Sequence, residues 1–220
     1  MKKPLLVICL LYFSAITGFA QEKSPFRRST YIKVNPSRLI NELEVTIEQE
    51  LSEKISIELG ISGIYTDYPD YILAKKIDIG QKKPNISTEQ FVDGRGLGFS
   101  ASLRWYLVSS RDDLFRAQGT YFQPVLLYKK VFYPNDKVTI NNGTYENTGD
   151  KDVYALQFLL GRQIRKDRFI VDPYVGIGVR MKVYDYNNFN NNNGMVGTND
   201  GRLISVLPSL HLGIKIGLKM

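Results

Sequence analysis

Ser209-Leu-His-Leu-Gly-Ile-Lys-Ile-Gly-Leu-Lys-Met220 alternates without a break. Leu210, Leu212, Ile214, Ile216, Leu218 and Met220 fall on one face, and Ser209, His211, Gly213, Lys215, Gly217 and Lys219 on the other. Side chains of a strand point to opposite faces with period two, so the stretch is one strand, apolar on one side and polar or tiny on the other. At about 3.3 Å per residue it is roughly 40 Å long, about twice a usual soluble strand and enough to cross a bilayer at a tilt.

Seven further segments alternate in the same way. They are Tyr31 to Pro36, Leu43 to Glu50, Ile55 to Tyr65, Gly96 to Leu107, Thr120 to Phe132, Val153 to Gln163 and Phe169 to Lys182; the eighth strand runs from about Leu203 to Met220. Thr120 to Phe132 is aromatic-rich, with poorly separated faces. Short links (Leu51 to Lys54, Ile164 to Arg168) alternate with long polar ones at Thr66 to Asp93, Tyr133 to Asp152 and Tyr184 to Gly201. Val108 to Gln118 is longer than its short sisters, and Ser37 to Glu42 is shorter than its long ones. Short periplasmic turns and long extracellular loops are the habit of membrane barrels, and an even strand number puts both ends on the periplasmic side.

The first residues support export. Met1-Lys2-Lys3, an apolar run from Leu5 to Phe13, and small residues at Gly18 and Ala20 read as a secretory signal cut after Ala20. Removing it takes away Cys9, the single cysteine, and lowers the formal charge from +7 to +5. Disulfides, thiol catalysis and cysteine-held metals are then excluded from the exported chain. Nothing after the signal is apolar for long enough to form a spanning helix, so any crossing falls to strands closed into a barrel. The expected organisation is a signal peptide (1–20), a periplasmic segment (21–29) and an outer-membrane barrel domain (30–220). No basic run with interleaved aromatics suggests nucleic acid.

Small and ionic residues share a face. Gly96, Gly98, Gly176, Gly178, Gly213 and Gly217 lie with Arg104, Asp172, Arg180, Lys215 and Lys219. An eight-stranded barrel has an interior only just wide enough for side chains. The apolar face is therefore expected to meet lipid and the polar face to fill the lumen. Aromatics near strand ends (Tyr65, Tyr68, Trp105, Tyr106, Tyr121, Phe122, Phe132, Tyr133, Phe169, Tyr184) would form interfacial girdles.

Gly98-Phe-Ser-Ala-Ser-Leu-Arg-Trp-Tyr-Leu107, Gly119-Thr-Tyr-Phe-Gln-Pro124, Gly161-Arg-Gln163, Phe169-Ile-Val-Asp-Pro-Tyr-Val-Gly-Ile-Gly-Val-Arg180 and Leu212-Gly-Ile-Lys-Ile-Gly-Leu218 together resemble small outer-membrane β-barrel proteins of Gram-negative bacteria. The resemblance is to the OmpA/OmpX-like class and covers roughly Thr30 to Met220. It implies an all-β, closed, eight-stranded antiparallel up-and-down transmembrane barrel at the cell surface. Its implied partners are outer-membrane lipid, lipopolysaccharide and the barrel assembly machinery, and it would be a monomer without cofactor. Met220 departs from the aromatic terminus that many such proteins present to that machinery.

The inward ionic positions are Glu44, Glu48, Glu58, Arg104, Asp172, Arg180, Lys182, His211 and Lys215. Charges in a narrow, low-dielectric interior must be paired, so these are expected to form an ion-pair plug; a narrow ion path is the alternative. A general porin needs about twice as many strands. Ser209 and His211 share a face, which raises a lipid-modifying acyl hydrolase as a rival function. The Ser-x-His order and the luminal face favour a non-enzymatic protein with no catalytic residues. A soluble periplasmic barrel holding an apolar ligand is the other rival. Surface contacts to an unidentified extracellular ligand are expected from loop aromatics: Tyr68 and Tyr71, then Tyr184, Tyr186 and Phe189 in the Asn-rich loop. No motif for a metal, zinc or nucleotide is present.

Overall fold

A computed structural model describes residues 29–67, 93–109, 119–141, 143–192 and 195–220. The expected signal segment, Tyr68 and Tyr71 lie outside the described residues. The strands are β1 (Thr30–Val34), β2 (Glu42–Glu50), β3 (Ile55–Ile64), β4 (Arg95–Ser109), β5 (Gly119–Phe132), β6 (Asp136–Ile140), β7 (Gly143–Lys166), β8 (Phe169–Asn192) and β9 (Met195–Lys219). All ladders are antiparallel. Sequential neighbours pair, β5 skips β6 to pair with β7, and β1 pairs with β9. The result is a barrel-like ring of eight strands, with β6 attached to β7 outside it.

The ladders fix the stagger of that ring. From Lys33 of β1 the partners run Thr46, Gly60, Ser100, Leu127, Ala155, Arg180 and Leu207. Lys33 also pairs directly with Gly217 of β9, ten residues from Leu207. A stagger of ten over eight strands corresponds to a strand tilt of about 40° at ordinary strand spacings. The interior of such a ring has room for side chains and little else.

Wall height is uneven. β1 to β3 are 5, 9 and 10 residues long, whereas β7 to β9 are 24, 24 and 25. The upper end is taken as the one carrying the 35–41 and 133–142 connections. There β6 to β9 rise beyond the rest as a projecting sheet. This corrects two expected loops. Tyr133 to Asp152 holds β6 and the start of β7, and Tyr184 to Gly201 is mostly a β8–β9 hairpin paired as far as Asn192 with Met195. Asparagine and glycine runs signal turns when read alone. Here the backbone ladder to a neighbouring strand overrides weak local propensity. Asp185 lies opposite Arg202, which donates to it at 2.6 and 3.0 Å. That hydrogen bond holds the half-buried Asp185 carboxyl below its usual range.

The polarity of the ring is inverted relative to a water-soluble fold. Glu48, Ser56, Arg104, Gln123, Gln163 and Asp172 are fully buried inside. Leu126, Ile177 and Leu212 are 63%, 65% and 79% exposed outside. Odd residues of β9 from Leu207 to Gly217, excepting the half-buried Ser209, are buried, and even residues are exposed. β5, whose faces looked mixed, follows the same rule: Tyr121, Gln123, Val125 and Leu127 face inward, with Leu126 and Phe132 outward.

Candidate functional site

The short β1 places Lys33 at the middle of the lumen. Its ammonium lies 2.5 Å from Glu48, 2.9 Å from Asp172 and 3.8 Å from Glu58. Arg104 of β4 reaches the same three carboxylates, at 3.3 Å to Glu48, 3.1 Å to Glu58 and 2.9 Å to Asp172. Lys215 of β9 pairs with Glu58. Three cations therefore meet three carboxylates, and the cluster is formally neutral. The Arg104 guanidinium, with five donors in a rigid fork, reaches Gln123 and Gln163 as well as the three carboxylates.

Uncharged groups complete the network. The Gln163 carbonyl accepts from Lys33 at 2.8 Å and from Arg104 at 2.5 Å. Gln123 accepts from Arg104 at 3.0 Å and donates to Glu58 at 3.2 Å. Tyr121 donates to Asp172 at 2.6 Å, and its ring lies under the Arg104 guanidinium, 3.8 Å from centroid to carbon. The Tyr106 hydroxyl is 2.9 Å from Glu48. Tyr106 and Tyr121 thus point inward and are not girdle residues, a correction that parity explains: Tyr106 shares its face with Arg104.

A glycine makes this arrangement possible. A Cβ on Gly161 would land on the Tyr121 ring. Gly161→Val is expected to cost about 1–3 kcal/mol by displacing Tyr121 from Asp172 and Arg104. Gly63→Val is the control, since nothing lies within 4 Å of a Cβ there. Equal denaturant midpoints for the two variants would sink this account.

Above this layer sits a second one. Arg38, on the Pro36–Arg38 turn after β1, is 3.2 Å from both Glu42 and Glu44. Lys129 of β5 is 2.6 Å from Glu42. Asn35 donates to Glu44 and to the Tyr174 hydroxyl, each at 2.9 Å. Higher still, Asp67 pairs with Lys151 and accepts from Tyr133 at 2.7 Å.

The expected inward set is thus divided. Glu48, Glu58, Arg104, Asp172 and Lys215 meet in the lower network, while Glu44 joins the upper one. Arg180 and Lys182 are half-buried higher on β8. His211 lies 2.8 Å from Ser209 and makes no contact with the carboxylates of the lower network. Lys33, Gln123, Gln163, Tyr106 and Tyr121 were missed as members, although alternation alone put Lys33, Gln163 and Tyr106 on polar faces.

Tyr184, Tyr186 and Phe189 belong to β8 and not to a loop. Phe189 stacks on Tyr145 of β7 at 5.1 Å between ring centroids. On the outer wall, the small Ala101 between Leu59 and Leu126 leaves an open apolar hollow of about 960 Å³. Among the described residues, no group of three or more His, Cys, Asp or Glu is placed to hold a metal ion. No described helix is long and apolar enough to cross a membrane. Comparison of the chain with protein-family models, with curated proteins and with solved structures gave no match.

Proposed function

We propose that this protein is an integral outer-membrane β-barrel of the small OmpA/OmpX-like kind, exported by its N-terminal signal. In this reading its lumen is plugged and its projecting sheet serves a structural, adhesive or surface-binding role. The observation that carries the reading is the inverted polarity. Ile47, Leu59, Phe99, Leu126, Phe158, Ile177 and Leu212 come from seven different strands, and all are exposed. A soluble monomer rarely exposes a contiguous apolar patch above a few hundred Å², and a protein partner covers one side and not a whole circumference. Hydrocarbon covers all sides.

The interior supports the plugged reading. Buried charges that are neutral as a set and tied to amide and phenol groups hold one another in place. An apolar ligand inside the ring would have to displace them, which weighs against the soluble-carrier alternative. The 2.8 Å contact between Ser209 and His211 has nucleophile–base geometry. Among the described residues no carboxylate hydrogen-bonds to the imidazole, so the non-enzymatic reading is preferred. Tyr145, Tyr184, Tyr186 and Phe189 on the projecting sheet are the contact residues expected for an extracellular ligand.

Extraction and gel mobility test the membrane reading together. The protein should stay with the membrane until detergent is added, and should run faster unheated than boiled. A protein released without detergent, with heat-insensitive mobility, would refute the lipid-facing assignment. Planar bilayers tests the plug: steady conductance steps from the purified protein would rule it out.

A further inference from the structure

We propose that the upper edge of β9, from Ile204 to Leu212, is a docking site for an extended segment of another polypeptide, which adds to the wall as an antiparallel strand above β1. Backbone direction comes first. At the foot of β9 the Lys219 amide donates to the β8 side, at Arg168, and the Met220 amide donates to the β1 side, at Thr30. Consecutive residues of a strand turn their backbone groups to opposite neighbours. The β8–β9 register runs unshifted from Leu218 to Met195, so every even residue of β9 presents its N–H and C=O away from β8. Ile216 and Leu218 meet β1, and the Ile214 amide donates to Ser37 Oγ at 2.8 Å. β1 itself ends at Val34, and the chain turns back through Pro36–Arg38 into β2. Among the described residues, the amides of Leu212, Leu210, Val206 and Ile204 therefore meet no acceptor on that side.

Two further observations mark this stretch as an edge. Pro208 lies at an even position opposite Val179, so its missing N–H faces the open side and the β8 ladder loses nothing. Leu212 is 79% exposed, against 46%, 48% and 50% for Ile214, Ile216 and Leu218, which β1 or its turn flanks.

An unpaired row of amides and carbonyls is a template for another strand. The demand is sharper in lipid, a step that rests on the membrane reading proposed above. The same even residues carry the apolar row that faces hydrocarbon, where open sheet edges do not occur because nothing there pairs with the backbone. Acyl chains offer no donors or acceptors, whereas an extended peptide offers both at the matching repeat. Ile204 to Leu212 gives it about 30 Å of edge. A second copy does not fit. Two upright copies related by an axis along the membrane normal would cross their β9 strands at about 80°, twice the tilt of about 40°, and strands so crossed form no ladder. The occupant is therefore a segment of a different chain. It sets apolar residues towards lipid and small or polar ones inward, as β8 does on the other side with Val175, Ile177 and Val179 against Gly176, Gly178 and Arg180.

A synthetic peptide of residues 175–183 is a suitable probe, because that sequence already pairs with Leu212 to Ile204 from the opposite side. The labelled peptide is titrated onto the folded protein in detergent, with binding read by fluorescence anisotropy and its place by amide exchange. Without peptide, the amides of Leu212, Leu210, Val206 and Ile204 should exchange faster than those of His211 and Leu207; with peptide they should become protected. Leu210→Pro/Val206→Pro removes two edge donors at even positions, like that of Pro208, and should weaken binding about tenfold or more. Peptides N-methylated on one or the other alternate set of residues should differ, since only one set faces β9. No saturable binding, or equal binding of both methylated peptides or of native and double-proline chains, overturns the proposal. Slow exchange of the four amides in the protein alone also overturns it, since the chain or a second copy then covers the edge. Heat-dependent mobility of each variant separates loss of the edge from loss of the fold. Its absence in the native chain strikes the membrane reading instead, and the same titration in buffer then scores the edge.

Discussion

Replacing Arg104 with methionine should lower stability by about 3–5 kcal/mol, the usual cost of removing one partner from a buried ionic network. The side chain is fully buried and bridges Glu48, Glu58 and Asp172, which would then share only Lys33 and Lys215. Arg104→Lys should fall between the two, because one ammonium cannot span three carboxylates and two amide carbonyls. Reversible urea unfolding from lipid vesicles measures both. A loss of less than about 1 kcal/mol for Arg104→Met would mean that the network behaves as a solvated surface cluster and not as a plug.

The second large effect lies on the opposite face of the wall. Leu212 is 79% exposed in the middle of the apolar row of β9. In water, changing such a side chain to arginine shifts stability by no more than about 0.5 kcal/mol. In lipid the same change costs about 2–4 kcal/mol at the bilayer midplane and falls towards 0–1 near the interfaces. Leu212→Arg should therefore destabilise strongly, and Ile204→Arg, nearer the upper rim, should do so much less. Equal small effects at both positions would exclude hydrocarbon as the surrounding solvent.

The sequence made the ring strands legible because each has one polar and one apolar face, and parity cannot drift along a strand without exposing the wrong set. Glu48, Glu58, Arg104, Asp172 and Lys215 could be named as inward for that reason. Parity says nothing about height along the axis. It could not show that Lys33 meets Asp172, since that depends on a stagger of ten residues accumulated over the whole ring. The projecting sheet was missed for a different reason. Tyr184-Asp-Tyr-Asn-Asn-Phe189 carries residues that favour turns, and its strand character comes from the partner 195–203, which local reading does not see. Gln123 and Gln163 were seen as polar, but their task of filling the last acceptor and donor positions around Arg104 appears only in three dimensions.

The four-residue ladder between β1 and β9 has a kinetic meaning. It joins Tyr31 to Lys219, the most distant parts of the described chain, so its formation carries the largest loop-closure entropy of any ladder and returns the fewest hydrogen bonds. The β8–β9 hairpin, by contrast, pairs along its entire length with almost no loop to close. Assembly should begin from the β7–β9 hairpins and end at the β1–β9 junction, and spontaneous opening should start where assembly ended. Substitutions in β1 would then accelerate opening more than they slow the early steps, making this short strand the latch on the lifetime of the closed ring.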